Sequence, residues 1–142
     1  MQAISKLKLD YAESILKKDL LDQGILSVIL IDKAGNILIN LNTDELEFDY
    51  YSLASLSAAN IKAVSVMAEI LEEKDMYFLF HKGQNLNIHF KRILSEFILI
   101  SIFDKSISLG FLRLKTDELN DFFDYCLSEM DFSFNRAINI YK

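Results

Sequence analysis

The stretch ILSVILIDKAGNILIN, residues 25–40, decides how the rest of the chain is read. Ile25 to Asp32 is apolar at successive positions, as in a strand buried on both faces. Ile37 to Asn42 alternates instead, with Ile37, Ile39 and Leu41 set against Asn40 and Asn42. That is a flanking strand. Lys33-Ala34-Gly35-Asn36 joins the two, and Gly-Asn is favourable hairpin chemistry. A hairpin with one strand buried on both sides calls for a sheet covered by helices on both faces.

Upstream, the spacing predicts a helix over residues 10–23. Asp10 is its expected cap, Glu13 completes a variant capping box, and Gly24 sits where a left-handed terminal residue belongs. Leu7 and Leu9 alternate with lysines and read as a short strand or as the helix's first turn. Downstream, the acidic loop Thr43 to Asp49 leads into a long helix over 50–74, capped by Asp49 or Ser52. Strands follow at 76–81, 86–91 and 96–103, and a last helix at 108–130. The order is α-β-β-α-β-β-β-α.

Apolar patterning also sets the strand positions. FILISIF, residues 97–103, is as apolar as the first strand, so the two pair at the centre. Hairpins then give a five-stranded antiparallel sheet of order 2-1-5-4-3, an α/β sandwich. The long helix covers one face, the first and last helices the other. In that order the third strand, MYFLF at 76–80, is an edge with no proline or inward charge to block pairing. Its simplest cover is the same strand of a second copy.

Composition narrows function by exclusion. The chain has 142 residues, one domain's length, expected as a core over 10–130 with extensions at 1–9 and 131–142. Its formal charge of −6 argues against nucleic acid, which is bound through phosphate neutralisation. One cysteine, Cys126, forms no internal disulfide, and the N-terminus lacks a signal-like apolar stretch. No run is read as a membrane span. The expectation is a cytoplasmic protein without membrane insertion.

No site for chemistry stands out. His81 and His89 share a hairpin but fall on opposite faces, and two ligands do not make a metal site. Cys126, among Phe122, Phe123 and Leu127, has no neighbouring base. The loop acids Asp44, Glu45, Glu47 and Asp49 lack the glycine turn of a calcium loop. No phosphate loop, dinucleotide fingerprint or hydrolase elbow occurs. No catalytic residue, cofactor or metal is expected.

The long helix YSLASLSAANIKAVSVMAEILEEK, residues 51–74, carries two stripes. Leu53, Leu56, Asn60, Val64, Met67 and Leu71 form one. Ala54, Ala58, Ile61, Ser65 and Ala68 form the other, whose small side chains suit a close helix–helix contact. Leu53, Leu56, Val64 and Met67, with Tyr77 and Leu79 of the edge strand, are the expected dimer interface. Ser57, Asn60 and Lys62, with Asp44 and Glu47 to steer a basic partner, are the expected docking surface.

Taken together, these segments resemble the roadblock/dynein light-chain family, and are especially similar to its bacterial MglB-like members. The likeness is carried by the helix ending at Gly24, by ILSVILIDKAGNILIN with its Asp32 and Gly35 turn, and by LASLSAANIKAV. The strand FILISIF and Ser108-Leu109-Gly110-Phe111-Leu112-Arg113 at the start of the last helix complete it. The resemblance implies a roadblock/profilin-like fold and a homodimer with paired long helices and paired third strands. It also implies a noncatalytic scaffold that binds a small Ras-like GTPase, with no arginine finger at Arg92 or Arg113. A small-molecule sensor of PAS or GAF type is the alternative.

Overall fold

The computed structural model describes residues 6–74 and 78–123. Helix α1 (Lys6–Asp19) is followed by a 3-10 turn (Leu21–Gln23), β1 (Ser27–Asp32), β2 (Ile37–Asn42), α2 (Tyr50–Ile70), β3 (Phe78–Lys82), β4 (Asn87–Ile93) and β5 (Phe97–Phe103). A third helix, α3, runs through 109–123. Met76, Tyr77 and Cys126 lie outside the described residues, as does the expected course of the last helix to residue 130.

The strand order is β2-β1-β5-β4-β3, all pairs antiparallel, as the apolar patterning requires. Both central strands are buried along their full length. Their alternating side chains feed two cores. Val28, Leu30, Leu99 and Phe103 meet Leu16 and Leu20 of the N-terminal segment and Leu112, Leu119 and Phe123 of α3. Ile29, Ile31, Ile98, Ile100 and Ile102 meet Ala54, Ala58 and Ile61 of α2.

The β1–β2 turn is held by one carboxylate. Asp32 Oδ1 accepts hydrogen bonds from the amides of Ala34 and Asn36, each at 2.9 Å, and Oδ2 accepts from Asn36 Nδ2 at 2.9 Å. This is the side-chain-to-backbone bonding that suits Asp to turns. Gly35 is fixed by two constraints. Its φ is +90°, and a Cβ there would lie 3.1 Å from Ser55 Cα, so the turn rests directly on α2.

Helix boundaries depart from the sequence expectation. Helix α1 begins at Lys6, so Asp10 lies inside it rather than capping it, and Leu7 and Leu9 are helical. Its apolar burial depends on Ala12 and Leu16. Gly24 takes the left-handed conformation, φ 111°, though after the 3-10 turn rather than after α1 itself. Helix α2 is capped by Asp49, whose side chain accepts from the Ser52 amide at 3.1 Å. It ends at Ile70 rather than at residue 74. Glu72 adopts φ 57°, and the Glu73 amide bonds back to the Ala68 carbonyl at 2.9 Å. That left-handed residue breaks the helix one turn early. On α3, the Ser108 hydroxyl accepts from the Phe111 amide at 3.1 Å, close to the expected start.

Candidate functional site

Helix α2 presents the surface most unlike a solvated one. It places Ala54, Ser57, Ala58, Ile61, Val64 and Ala68 inward. The small-residue stripe therefore meets the sheet, where short side chains bring helix and strands together, and not a second helix. Leu56, Val66, Met67 and Ile70 point outward, with Tyr51 and Leu71 at the two ends. Leu56 is 69% exposed and Ile70 75%. Single exposed apolar residues are ordinary, whereas a row along one helix is the kind of surface that meets protein, membrane or ligand.

The helix is 21 residues long and carries only Lys62 and Glu69 as charges. By length and composition it would reach across a membrane, contrary to the expectation that no run is long and apolar enough. Its inner face is packed on the sheet of this fold.

The expected interface residues separate. Leu56 and Met67 lie on the outer face. Leu53 and Leu79 are half-buried against the α2-side core. Val64 is buried, because it follows Ile61 and precedes Ala68 on the inward turn. Tyr77 lies outside the described residues. Among the expected docking residues, Ser57 is only 2% exposed, so its side chain is not part of the outer face. It sits between Ala54 and Ile61 on the sheet side, and its Oγ has no hydrogen-bond partner among the described residues. Asn60 is half-buried, its Nδ2 3.3 Å from His81 Nε2, which ties α2 to the β3 edge. Lys62 is exposed on the flank.

The acidic loop is anchored rather than loose. Leu46 and Phe48 pack against the α2-side core, while Asp44, Glu45 and Glu47 face solvent. Phe48 meets Tyr50 edge-on, with ring centroids 6.1 Å apart, and this carries the acidic rim to the N-terminal end of α2. Asp49 is held below the usual carboxylate range, chiefly by the Ser52 hydroxyl and then by its amide.

His81 and His89 lie on opposite faces, as expected. Phe80 is the cross-strand partner of His89, which sends His81 to the α2 side. His89 is buried on the other side, and its pKa is lowered to about 4, first by burial and then by Lys91 and Arg113. Among the described residues no group of three His, Cys, Asp or Glu could hold a metal ion.

No protein-family model matches the sequence, and no curated protein matches it. Solved structures do match. Myxococcus xanthus MglB superposes with a TM-score of 0.81 at 24% identity, over 90% of this chain and 96% of that one. An MglB structure with a tetrameric arrangement gives 0.80 at 21%, over 91% and 96%. A roadblock/LC7 domain from Streptomyces avermitilis gives 0.66 at 12%, over 82% and 97%. The fold is that of the roadblock domains. The superposition on the MglB structures is more extensive than on the Streptomyces avermitilis domain, in keeping with the fold that the sequence resemblance implied.

Proposed function

We propose that this chain is a noncatalytic, dimeric cytoplasmic platform that binds a small Ras-like GTPase and modulates its nucleotide cycle. The observation that carries the reading is the exposed apolar row of α2 beside the β3 edge, in an MglB-like fold. Two α2 helices meeting across a two-fold axis would cover Met67 and Ile70 and let the β3 edges pair. The partner would dock across the resulting helix pair near Leu56 and Asn60. The rim of Asp44 and Glu47 would steer its basic surface, an effect felt mainly in the association rate.

A sensor of PAS or GAF type would hold its ligand between helix and sheet. In that position Ala54, Ala58 and Ile61 are packed against the isoleucines of β1 and β5.

Sedimentation is expected to give about twice the chain mass of 16.4 kDa. Met67→Lys should shift the protein to monomer, because the assembly would have to bury an unpaired charge. The Ras-like GTPase encoded nearest the gene is the partner to titrate. Asp44→Lys with Glu47→Lys should slow its association and leave dissociation nearly unchanged. A monomer at high concentration, or GTPase binding indifferent to Met67→Lys and to the loop pair, would overturn the reading.

A further inference from the structure

Along one flank of α2 runs a cleft of about 290 Å³. Its floor is apolar, formed by Ala58, Ile61 and Ile98. Four cations line it: Lys33 from the β1–β2 turn, Lys62 and Lys74 from α2 and the residues just after it, and Arg92 from β4. Two carboxylates, Glu69 and Glu73, also line it, which leaves a net excess of positive charge. The whole chain carries −6, so this concentration of positive charge runs against its composition.

The cations are not used up by ion pairs. Among the described residues the ion pairs are Lys17–Asp22, Lys91–Asp117 and Lys115–Glu118, none of them in the cleft. Arg92 is half-buried, and its Nη2 donates to Ser65 Oγ at 2.9 Å. Ser65 Oγ in turn donates to the Ile61 carbonyl at 3.0 Å, so the guanidinium is held on a fixed hydroxyl. A guanidinium has five N–H donors in a rigid fork suited to carboxylate and phosphate oxygens. Glu69 lies about two helical turns beyond Lys62 but only about one beyond Ser65, so its charge stands nearer the anchor of Arg92 than the lysine end of the cleft.

We propose that this flank is a binding site for a compact multivalent anion, a phosphate ester or a polycarboxylate. Arg92 and Lys62 would hold its oxygens, Lys33 would close the site from the turn, and Ile61 would lie beneath it. The cleft lies at the lower end of the size range of small-molecule sites, which suits a compact group. The site does not depend on the GTPase reading, because it lies on the helix flank and needs no partner protein.

Amide chemical shifts and calorimetry on the full chain test it, with inorganic pyrophosphate and citrate as probes. Saturable shifts are expected at Lys33, Lys62, Ser65 and Arg92. Arg92→Gln should weaken binding about tenfold, as loss of a charge-assisted hydrogen bond does. The double change Lys33→Gln with Lys62→Gln alters only exposed side chains and should weaken it by at least as much, which guards against a folding defect in the Arg92 variant. Lys18→Gln, on exposed α1, should bind as the parent does. Tighter binding of pyrophosphate would assign phosphate esters, and tighter binding of citrate polycarboxylates. Absence of saturable shifts, or equal weakening by Lys18→Gln, would overturn the site and leave only diffuse attraction.

Discussion

The two faces of the sheet are closed by different means. Five strands at about 4.8 Å spacing span roughly 19 Å, while a helix with its side chains is about 10–12 Å across. Two helices therefore roof the α1/α3 face, and its core includes fully buried Leu16, Phe103 and Phe123. One helix cannot roof the other face. Helix α2 sits over β1 and β5, leaving a charged cleft on one flank and the β3 edge on the other. The largest buried rings lie on the doubly covered face, and the exposed apolar row and the charged cleft lie on the singly covered one.

The largest test of this contrast is Phe103→Ala. That ring is buried in the α1/α3 core and stacks on Phe80, with centroids 6.1 Å apart. The change should cost about 3–5 kcal/mol in denaturant unfolding. A loss below about 1 kcal/mol would mean that the two-helix roof collapses easily and is not the stable side.

Next in size is the pH dependence of the same face. Buried His89 has its pKa lowered from 6.5 to about 4, so it stays neutral in the folded protein while the unfolded chain takes up a proton. Its contribution is fully present above pH 6.5 and is lost progressively as pH falls through the folded value. The limit is about 3 kcal/mol at 1.36 kcal/mol per unit. Urea unfolding at stepped pH should show this slope, and His89→Leu should flatten it. An unchanged slope in that variant would assign the acid sensitivity to other groups.

The smallest effect belongs to the open face. Ile70→Ser on the outside of α2 should change unfolding of the isolated chain by less than about 0.5 kcal/mol. The same variant should weaken self-association measured by sedimentation. A large loss of monomer stability would show that the outer row is structural.

Much of this contrast was legible in the sequence. SVILID and FILISIF have no polar face, and a strand of that kind has only one place in a covered antiparallel sheet. Strand order followed from that and from the hairpins. The helix ends were less legible. Asp10 with Glu13 resembles a cap, yet Leu9 is partly buried with the α1-side core and draws the preceding turn into the helix. Nor did the sequence show which stripe of α2 faces inward, since both are apolar. For that reason the pattern alone puts Ser57 and Val64 on the outer face, whereas both are buried. The cleft was not legible at all, because Lys33, Lys62 and Arg92 come together only once three distant segments have folded.

The Asp32 turn has a kinetic consequence as well. Ile31 faces Ile37 across it, only six positions away, whereas Asp32 faces Phe97 across the central pairing, 97 − 32 = 65 positions away. Closing the longer loop costs about 2 kcal/mol more chain entropy than closing the shorter one. The carboxylate that accepts three hydrogen bonds in the turn acts entirely within the cheap closure. The β1–β2 hairpin is thus sampled by an unfolded chain more readily than the β1–β5 pairing, and it offers β5 a template whose register is already set.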